Sequence, residues 1–215
     1  LERALFPYLQ KMDQGRRGQQ ESFVSEEEVA HKHLFNNVMT FEEKEIQDLL
    51  SKGANPIYYQ DEETGNTALH LVAERGRVDL FLRFLENIKD LFSLGIKNKL
   101  DQTPYSLAMN SSSEEIKKVI AEFFYKSIEQ GKREEVEFFL DLGQNPNGLF
   151  KERSPVGHAI SYGKFEIAQA LIARGALKSP DLDRVFRDAF GCEEVKKVEF
   201  LLNKGVGGDR IEVLF

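Results

Sequence analysis

The stretch GNTALHLVAERGRVDLFLRFL, residues 65–85, combines polar start signals with an apolar run that ends in the pair Phe84-Leu85. Five other amphipathic segments of the chain end in an equivalent pair. These pairs are Leu49-Leu50, Val119-Ile120, Phe139-Leu140, Leu171-Ile172 and Leu201-Leu202. Successive pairs are separated by 35, 35, 20, 32 and 30 residues. Self-similarity at a period of roughly 20–50 residues is typical of repeat architectures, so the spacing predicts a solenoid.

A second signal lies upstream of these pairs, where a hydroxyl residue opens a shorter apolar segment. Examples are Thr67, Thr103-Pro104, Ser154-Pro155 and Ser179-Pro180. A hydroxyl side chain caps a helix N-terminus well, and proline fits the first turn because the missing N–H has no helical partner there. Each repeat is therefore predicted to contain a short capped helix, a glycine turn, a second helix and a loop.

The segment TALHLVAERG, residues 67–76, resembles the T-P-L-H-x-A-A-x-x-G signature of the ankyrin repeat family. DLLSKGANP (48–56) and ALIARGAL (170–177) are similar to the ending of its second helix. In that family the threonine caps the first helix, and the histidine bonds neighbouring backbone and loop groups. His70 is accordingly interpreted as a structural linker. The resemblance implies an all-α, irregular ankyrin-repeat solenoid of about six helix pairs over residues 31–215, with units at about 31–63, 64–100, 101–121, 122–152, 153–178 and 179–215.

Three regions depart from the regular pattern. The 20-residue interval leaves no room for a loop hairpin near residue 121, so the helices there either meet in a tight turn or fuse into one. An insertion, ENIKDLFSLGIKNK (86–99), replaces the expected glycine turn of the second unit. Residues 1–30 show no repeat and are interpreted as an N-terminal helical cap and linker, with a peptide that docks elsewhere as the alternative.

No constellation of residues in the sequence indicates catalysis, a metal site or a cofactor. Phosphate-binding and dinucleotide-binding glycine motifs are absent, as is the GxSxG nucleophile motif. Acidic neighbours would raise the pKa of Cys192, whereas a nucleophilic thiol needs a lowered pKa. His31 and His33 lack further ligands at metal-binding spacing, and His158 lies one place later than the family histidine. We therefore expect that the chain is not an enzyme.

Charge and composition narrow the class of partner. The chain has 215 residues, a formal net charge of -7 and a single cysteine. The negative charge argues against nucleic acid as a partner, and no apolar run is long enough to predict a membrane span. One cysteine fits a reducing compartment, so we expect a cytoplasmic monomer.

The resemblance implies that the loops and first helices form a concave surface that binds another protein. By alignment, the candidate partner-binding residues are Tyr58, Tyr59, Gln60, Asp61, Glu74, Arg75, Lys97, Asn98, Lys99, Asn110, Phe150, Arg153, Ser161 and Tyr162. Helical periodicity does not explain Tyr58, Tyr59 and Phe150, which are either partner anchors or packing residues for the next loop. The acidic run 61–63 favours a partner with a basic patch.

The expected function is therefore that of an interaction module or adaptor. The alternative is a targeting domain of a larger enzyme whose catalytic domain lies outside these residues. Irregular repeats with many Phe, Lys and Glu residues are similar to ankyrin effectors of intracellular bacteria, which would place the protein in a host cytosol. That alternative rests on analogy alone.

Overall fold

The computed structural model of the chain describes residues 25–176, 181–192 and 194–206. Within these ranges the regular structure is helical, and the only β contact is an isolated bridge between Phe150 and Arg153. This confirms the predicted all-α class. The helices are α1 (Glu26–Asn37), α2 (Glu43–Ser51), α3 (Ala68–Glu74), α4 (Val78–Ile88), a 3₁₀-helix (Leu91–Gly95), α5 (Pro104–Asn110), α6 (Glu114–Gln130), α7 (Arg133–Asp141), α8 (Pro155–Ser161), α9 (Phe165–Ala173), α10 (Leu182–Gly191) and α11 (Val195–Asn203).

The predicted caps open the three seven-residue helices α3, α5 and α8. The hydroxyls of Thr67, Thr103 and Ser154 each accept a hydrogen bond from the backbone N–H three residues on, at 3.4, 3.0 and 3.0 Å. Pro104 and Pro155 occupy the first helical turn, as their missing N–H allows. These short helices therefore begin where local side-chain chemistry specifies.

The 20-residue interval is occupied by one uninterrupted helix, α6, which contains 17 residues. Of the two predicted alternatives, the fused helix is therefore correct, and no turn interrupts the chain at Ala121. The segment contains neither glycine nor proline, so nothing in it breaks the helical hydrogen-bond ladder. The chain divides into two compact bodies, an N-terminal body that ends at Ile120 and a C-terminal body that begins at Ala121.

In the N-terminal body, α3 packs against α4 and α5, and the 3₁₀-helix packs against α4 and α5. The core contains Leu69, Val72, Phe81, Phe84 and Leu94, all with no exposed surface. Burial of each such side chain contributes roughly 1.5–3 kcal/mol.

In the C-terminal body, α8 packs against α9 and α10, while α7 packs against α9 and α10 against α11. Phe124 and Phe139 are fully buried and meet edge to face, with ring centroids 5.7 Å apart. Phe165 and Phe200 are half-buried and contact each other, with ring centroids 5.1 Å apart. The aromatic core is thus concentrated on α6 and α7.

Gly157 on α8 allows a close approach to the residue that precedes α10. A Cβ atom at this position would lie 2.3 Å from Oδ2 of Asp181, which is too close for any side chain. The same carboxylate oxygen accepts a hydrogen bond from the Ser154 N–H at 2.9 Å. The absence of a side chain at Gly157 therefore fixes the position of α8, which carries His158.

The predicted insertion at 86–99 forms structure of its own. Helix α4 continues to Ile88, Lys89 adopts a left-handed conformation at φ 56°, and the 3₁₀-helix follows. Other sequence-based predictions, for residues 1–24 and for Ser179-Pro180, lie outside the described residues. In the ranges that the structure covers, no helix is long and apolar enough to cross a membrane.

Candidate partner-binding site

The structure brings five of the predicted site residues together in the N-terminal body. Two neighbouring loops surround an open cavity of about 560 Å³. Its lining includes Gln60, Asp61, Lys97, Asn98 and Lys99, together with Glu62 and Gly65. We call these seven residues the loop cluster.

Hydrogen bonds within the chain join the two loops of this cluster. Oδ2 of Asp61 accepts from the N–H and the hydroxyl of Thr64, at 2.8 and 2.7 Å, and these bonds lower the pKa of the Asp61 carboxyl. The Gln60 amide donates to the carbonyls of Gly65 and Lys97, at 2.7 and 3.1 Å. The polar groups that sequence reasoning assigned to a partner are thus used to hold the loops.

Asn98 shows this most clearly, because it is 7% exposed and every hydrogen-bonding group of its amide is occupied. Its Nδ2 donates to the side-chain oxygens of Asn66 and Gln102, at 2.8 and 3.1 Å. Its Oδ1 accepts from the N–H groups of Leu100 and Gln102, both at 2.9 Å. A partner would contact Asn98 only by displacing these bonds.

His70 links this loop to α3, as predicted. Its Nδ1 accepts from the Thr67 N–H at 3.1 Å and lies 2.8 Å from the Thr67 hydroxyl, while Nε2 lies 3.3 Å from the Gln102 carbonyl. These partners assign the proton of the neutral ring to Nε2. Burial lowers the pKa of His70 to about 4. His70 is therefore a neutral structural residue.

Tyr58 and Tyr59 pack against α1. The Tyr58 ring meets His31 edge to face at 5.3 Å, and the Tyr59 ring contacts Phe35 at 5.1 Å. Tyr58 is nevertheless 41% exposed, so its side chain both packs on α1 and remains accessible to solvent. The ring contacts of this pair are thus made with the preceding helix rather than with the next loop, and Tyr58 remains accessible to a partner.

Four predicted residues lie apart from the loop cluster, at or near the C-terminal ends of short helices. Glu74 and Arg75 are exposed at the end of α3, and Asn110 is exposed at the end of α5. Ser161, at the end of α8, is half-buried and donates its hydroxyl to the Gly157 carbonyl at 2.9 Å.

A second site occupies the C-terminal body, where the three remaining predicted residues meet. Phe150, Arg153 and Tyr162 line an open groove of about 650 Å³. We call it the aromatic groove, and its full lining is Glu122, Tyr125, Lys126, Glu129, Gln130, Phe150, Lys151, Arg153, His158 and Tyr162. Sequence reasoning missed its contributions from α6. The signal was the placement of Glu122, Lys126 and Glu129 three or four residues apart, which puts them on one helical face.

A row of four rings forms the floor and one wall of the aromatic groove. Phe150 contacts Tyr125 at 5.1 Å, Tyr125 contacts His158 at 4.9 Å, and His158 contacts Tyr162 at 4.8 Å. Tyr125 is 4% exposed and Tyr162 is 49% exposed. The row therefore runs from a buried ring to one whose face is open to a ligand.

The Tyr125 hydroxyl joins α6 to the loop that carries Phe150. It lies 2.7 Å from the Arg153 carbonyl and 2.9 Å from the Gly148 carbonyl, so its single proton is shared between two acceptors. Burial raises the pKa of this phenol, which keeps the donor in place. The hydroxyl thus holds both ends of the loop segment 148–153.

The tip of that loop adopts a strained conformation. Phe150 and Arg153 exchange two backbone hydrogen bonds, at 3.0 and 3.1 Å, around Lys151 and Glu152. Both central residues are left-handed, at φ 50° and 62°. The left-handed region costs roughly 1–2 kcal/mol for a residue with a Cβ atom, and tight two-residue turns of this kind favour asparagine and glycine. The turn holds the Lys151 ammonium 4.9 Å from the Phe150 ring centroid.

His158 lies beneath the groove with only one of its ring nitrogens satisfied. Nε2 is 2.9 Å from a carboxylate oxygen of Glu129, and Nδ1 is buried without a hydrogen-bond partner. Burial lowers the pKa of His158, while Glu129 opposes this shift. A neutral ring that donates from Nε2 to Glu129 fits these contacts.

Nothing in this geometry indicates a metal site, since the described residues contain no group of three potential ligands close enough to share an ion. Cys192 is exposed and unpaired. No protein-family model matches the chain, and no curated protein matches it in sequence.

Proposed function

We propose that this chain is a protein-recognition module of the ankyrin-repeat type that binds a partner protein through the aromatic groove. The observation that carries the proposal is the row of rings from Tyr125 to Tyr162 beside Lys126 and Arg153, which form no ion pair among the described residues. Aromatic side chains dominate binding energy at protein interfaces, and a charged rim gives specificity.

The repeat assignment is supported by local features that recur along the chain. Three short helices share the same hydroxyl cap, and two of them contact a later helix in their own body: α3 contacts α5, and α8 contacts α10. His70 bonds across to Gln102 in the following loop. Such contacts between successive repeats are how a solenoid buries surfaces that one repeat cannot bury alone.

Recognition is a better account of the groove than catalysis. A general base needs a ring nitrogen that reaches the substrate, but Nε2 of His158 is engaged by Glu129 and Nδ1 is buried. The groove lining contains no serine, threonine or cysteine that the histidine would activate. Its open face offers rings and flexible charges, which suit reversible binding of a protein surface.

The experiment compares three immobilised proteins as baits in a lysate of the source cells: the natural chain, Tyr162→Ala and Val195→Ala. Val195 is 72% exposed on α11 and controls for the loss of an exposed apolar side chain outside the groove. Proteins retained by the natural chain and by Val195→Ala, but not by Tyr162→Ala, are then purified and titrated calorimetrically.

We expect direct binding that weakens by at least about tenfold in Tyr162→Ala, the loss typical of an aromatic anchor. Circular dichroism should show the same helix content for all three baits. A purified partner that binds Tyr162→Ala as tightly as the natural chain would refute the groove as the recognition site.

A further inference from the structure

The rim of the aromatic groove differs in charge from the rest of the chain. The whole sequence has a formal net charge of -7. The groove lining contains three cations, Lys126, Lys151 and Arg153, against two carboxylates, Glu122 and Glu129. With His158 neutral, the groove carries a local positive excess on a negative protein.

The three cations are free to meet a ligand. Within the described ranges, none of Lys126, Lys151 and Arg153 forms an ion pair, although surface cations elsewhere in the C-terminal body do, such as Arg133 with Glu137 at 2.7 Å. Lys126 lies on α6 one turn from Glu122, yet the two do not pair. Unpaired charges at an interface rim are those that steer and select a partner.

One of the two carboxylates is already occupied. Glu129 accepts the hydrogen bond of His158 at 2.9 Å, so its negative charge is directed toward a ring that forms the groove floor. Only Glu122 remains to attract a positive ligand. The net charge that a ligand encounters in the groove is therefore more positive than the count of charged lining residues indicates.

The aromatic faces do not favour a cationic ligand either. Lys151 already places its ammonium over the Phe150 ring at 4.9 Å, and the left-handed turn at 151–152 holds it on the rim. A second cation from a partner would meet three like charges. The half-exposed ring of Tyr162 remains open for an aromatic or aliphatic side chain, which gains contact area without charge repulsion.

We propose that the aromatic groove binds an acidic segment of a partner protein, whose carboxylates pair with Lys126 and Arg153 while a neighbouring aromatic or aliphatic side chain packs on Tyr162. This inference rests on the proposed function and specifies its ligand. It concerns a different surface from the acidic run at 61–63, for which a basic partner remains the expectation from sequence.

The test uses three pools of fluorescein-labelled peptides with blocked termini and degenerate flanks. The first pool has a core of Asp or Glu residues around one Phe, Tyr or Leu. The second replaces the acidic residues with Lys or Arg, and the third keeps the acidic residues but replaces the apolar residue with Ala. Labelled oligouridylate is the fourth probe, because rings beside cations also suit single-stranded nucleic acid. Binding is measured by fluorescence anisotropy at physiological ionic strength, where nonspecific attraction is screened.

Two charge-reversed variants complete the test. The Lys126→Glu/Arg153→Glu variant removes the proposed contacts, and Arg187→Glu/Lys196→Glu makes the same change in net charge at exposed positions of α10 and α11, outside the groove lining. We expect the first pool to bind most tightly and to lose at least about tenfold in affinity only with Lys126→Glu/Arg153→Glu.

Several outcomes would overturn the inference. Preference for the second pool, tighter binding of oligouridylate, equal losses in both charge variants, or no binding of the first pool each contradicts it. If the second pool binds and Tyr162→Ala abolishes that binding, the groove is still a recognition site and only the acidic ligand is wrong. If no pool binds and Tyr162→Ala also leaves capture of a purified partner unchanged, the proposed function fails as well.

Discussion

The loop cluster and the aromatic groove contain similar residues but use them in opposite ways. In the loop cluster, the amide of Asn98 and one carboxylate oxygen of Asp61 form hydrogen bonds within the chain. In the aromatic groove, the exposed side chains of Lys126 and Arg153 have no ion partner among the described residues. Polar residues at loop positions therefore differ in role. Those whose hydrogen bonds are formed within the chain are structural, and those without an internal partner are available to a ligand.

The largest expected effect comes from removing hydrogen bonds of the loop cluster. Asn98→Ala removes four hydrogen bonds, one to Asn66 across the two loops and three that hold the loop at 98–102, and at about 1 kcal/mol each it should lower the free energy of unfolding by about 4 kcal/mol. Urea denaturation followed by circular dichroism measures this change. Asn110→Ala, at an exposed helix end, is the matched control and should change stability by less than about 0.5 kcal/mol. Equal effects of the two substitutions would show that the loop cluster is not a structural network.

Acidification tests the same network through His70. Its pKa of about 4 in the folded protein lies below the ordinary value of 6.5, because burial disfavours the charged ring. The contribution of neutral His70 to the free energy of unfolding is therefore fully present above pH 6.5. It is lost as the pH falls toward 4, by up to about 3 kcal/mol. Urea unfolding across this range should show a shallower pH dependence in His70→Gln than in the natural chain. Parallel curves for the two proteins would contradict a buried neutral His70.

A smaller effect is expected where the groove itself depends on an internal hydrogen bond. Tyr125→Phe removes the hydroxyl that bonds the carbonyls of Gly148 and Arg153, so the free energy of unfolding should fall by about 1–2 kcal/mol. Tyr162→Phe removes a hydroxyl from the exposed end of the same ring row and should leave stability within about 0.5 kcal/mol. Thermal unfolding of both variants measures the difference. A stable Tyr125→Phe protein would mean that ring packing alone positions the loop.

The smallest effect concerns the strained turn of the groove. Glu152→Gly relieves the left-handed strain and, after the greater entropy of glycine in the unfolded chain, should stabilise the protein by about 0.5–1 kcal/mol. Asp101→Gly relieves a similar φ of 59° close to the loop cluster. It should gain less, because aspartate tolerates this conformation better than glutamate does. Chemical denaturation of both variants gives the comparison, and a destabilised Glu152→Gly protein would argue against strain in this turn.

Sequence reasoning succeeded where a signal and its consequence lie within a few residues. The caps at Thr67, Thr103 and Ser154 were predicted correctly because each depends on atoms within one helical turn. The linking role of His70, implied by the family resemblance, is also confirmed, although its contact with Gln102 spans 32 residues. The absence of glycine and proline left a fused α6 as one of two alternatives.

The groove was predicted only in part, with Phe150, Arg153 and Tyr162 identified and Tyr125, Glu129 and Lys126 missed. Its lining comes from α6, the loop that follows α7, and α8, and their meeting depends on the packing of the whole C-terminal body. Asn98 is the reverse case. Its polar loop position predicted a partner contact, but the side chain is buried and its amide forms its hydrogen bonds within the chain.

Local chemistry in the chain was enough to specify all-helical structure and the starts of its short helices, because hydrogen bonds three or four residues apart form in any context that permits a helix. The neutral state of His70 and its contact with Gln102, 32 residues along the chain, depended on three-dimensional packing. So did the polar side chains that stay open to a ligand: Asn66 lies close enough to bond the Asn98 amide, whereas no carboxylate among the described residues pairs with Lys126 or Arg153.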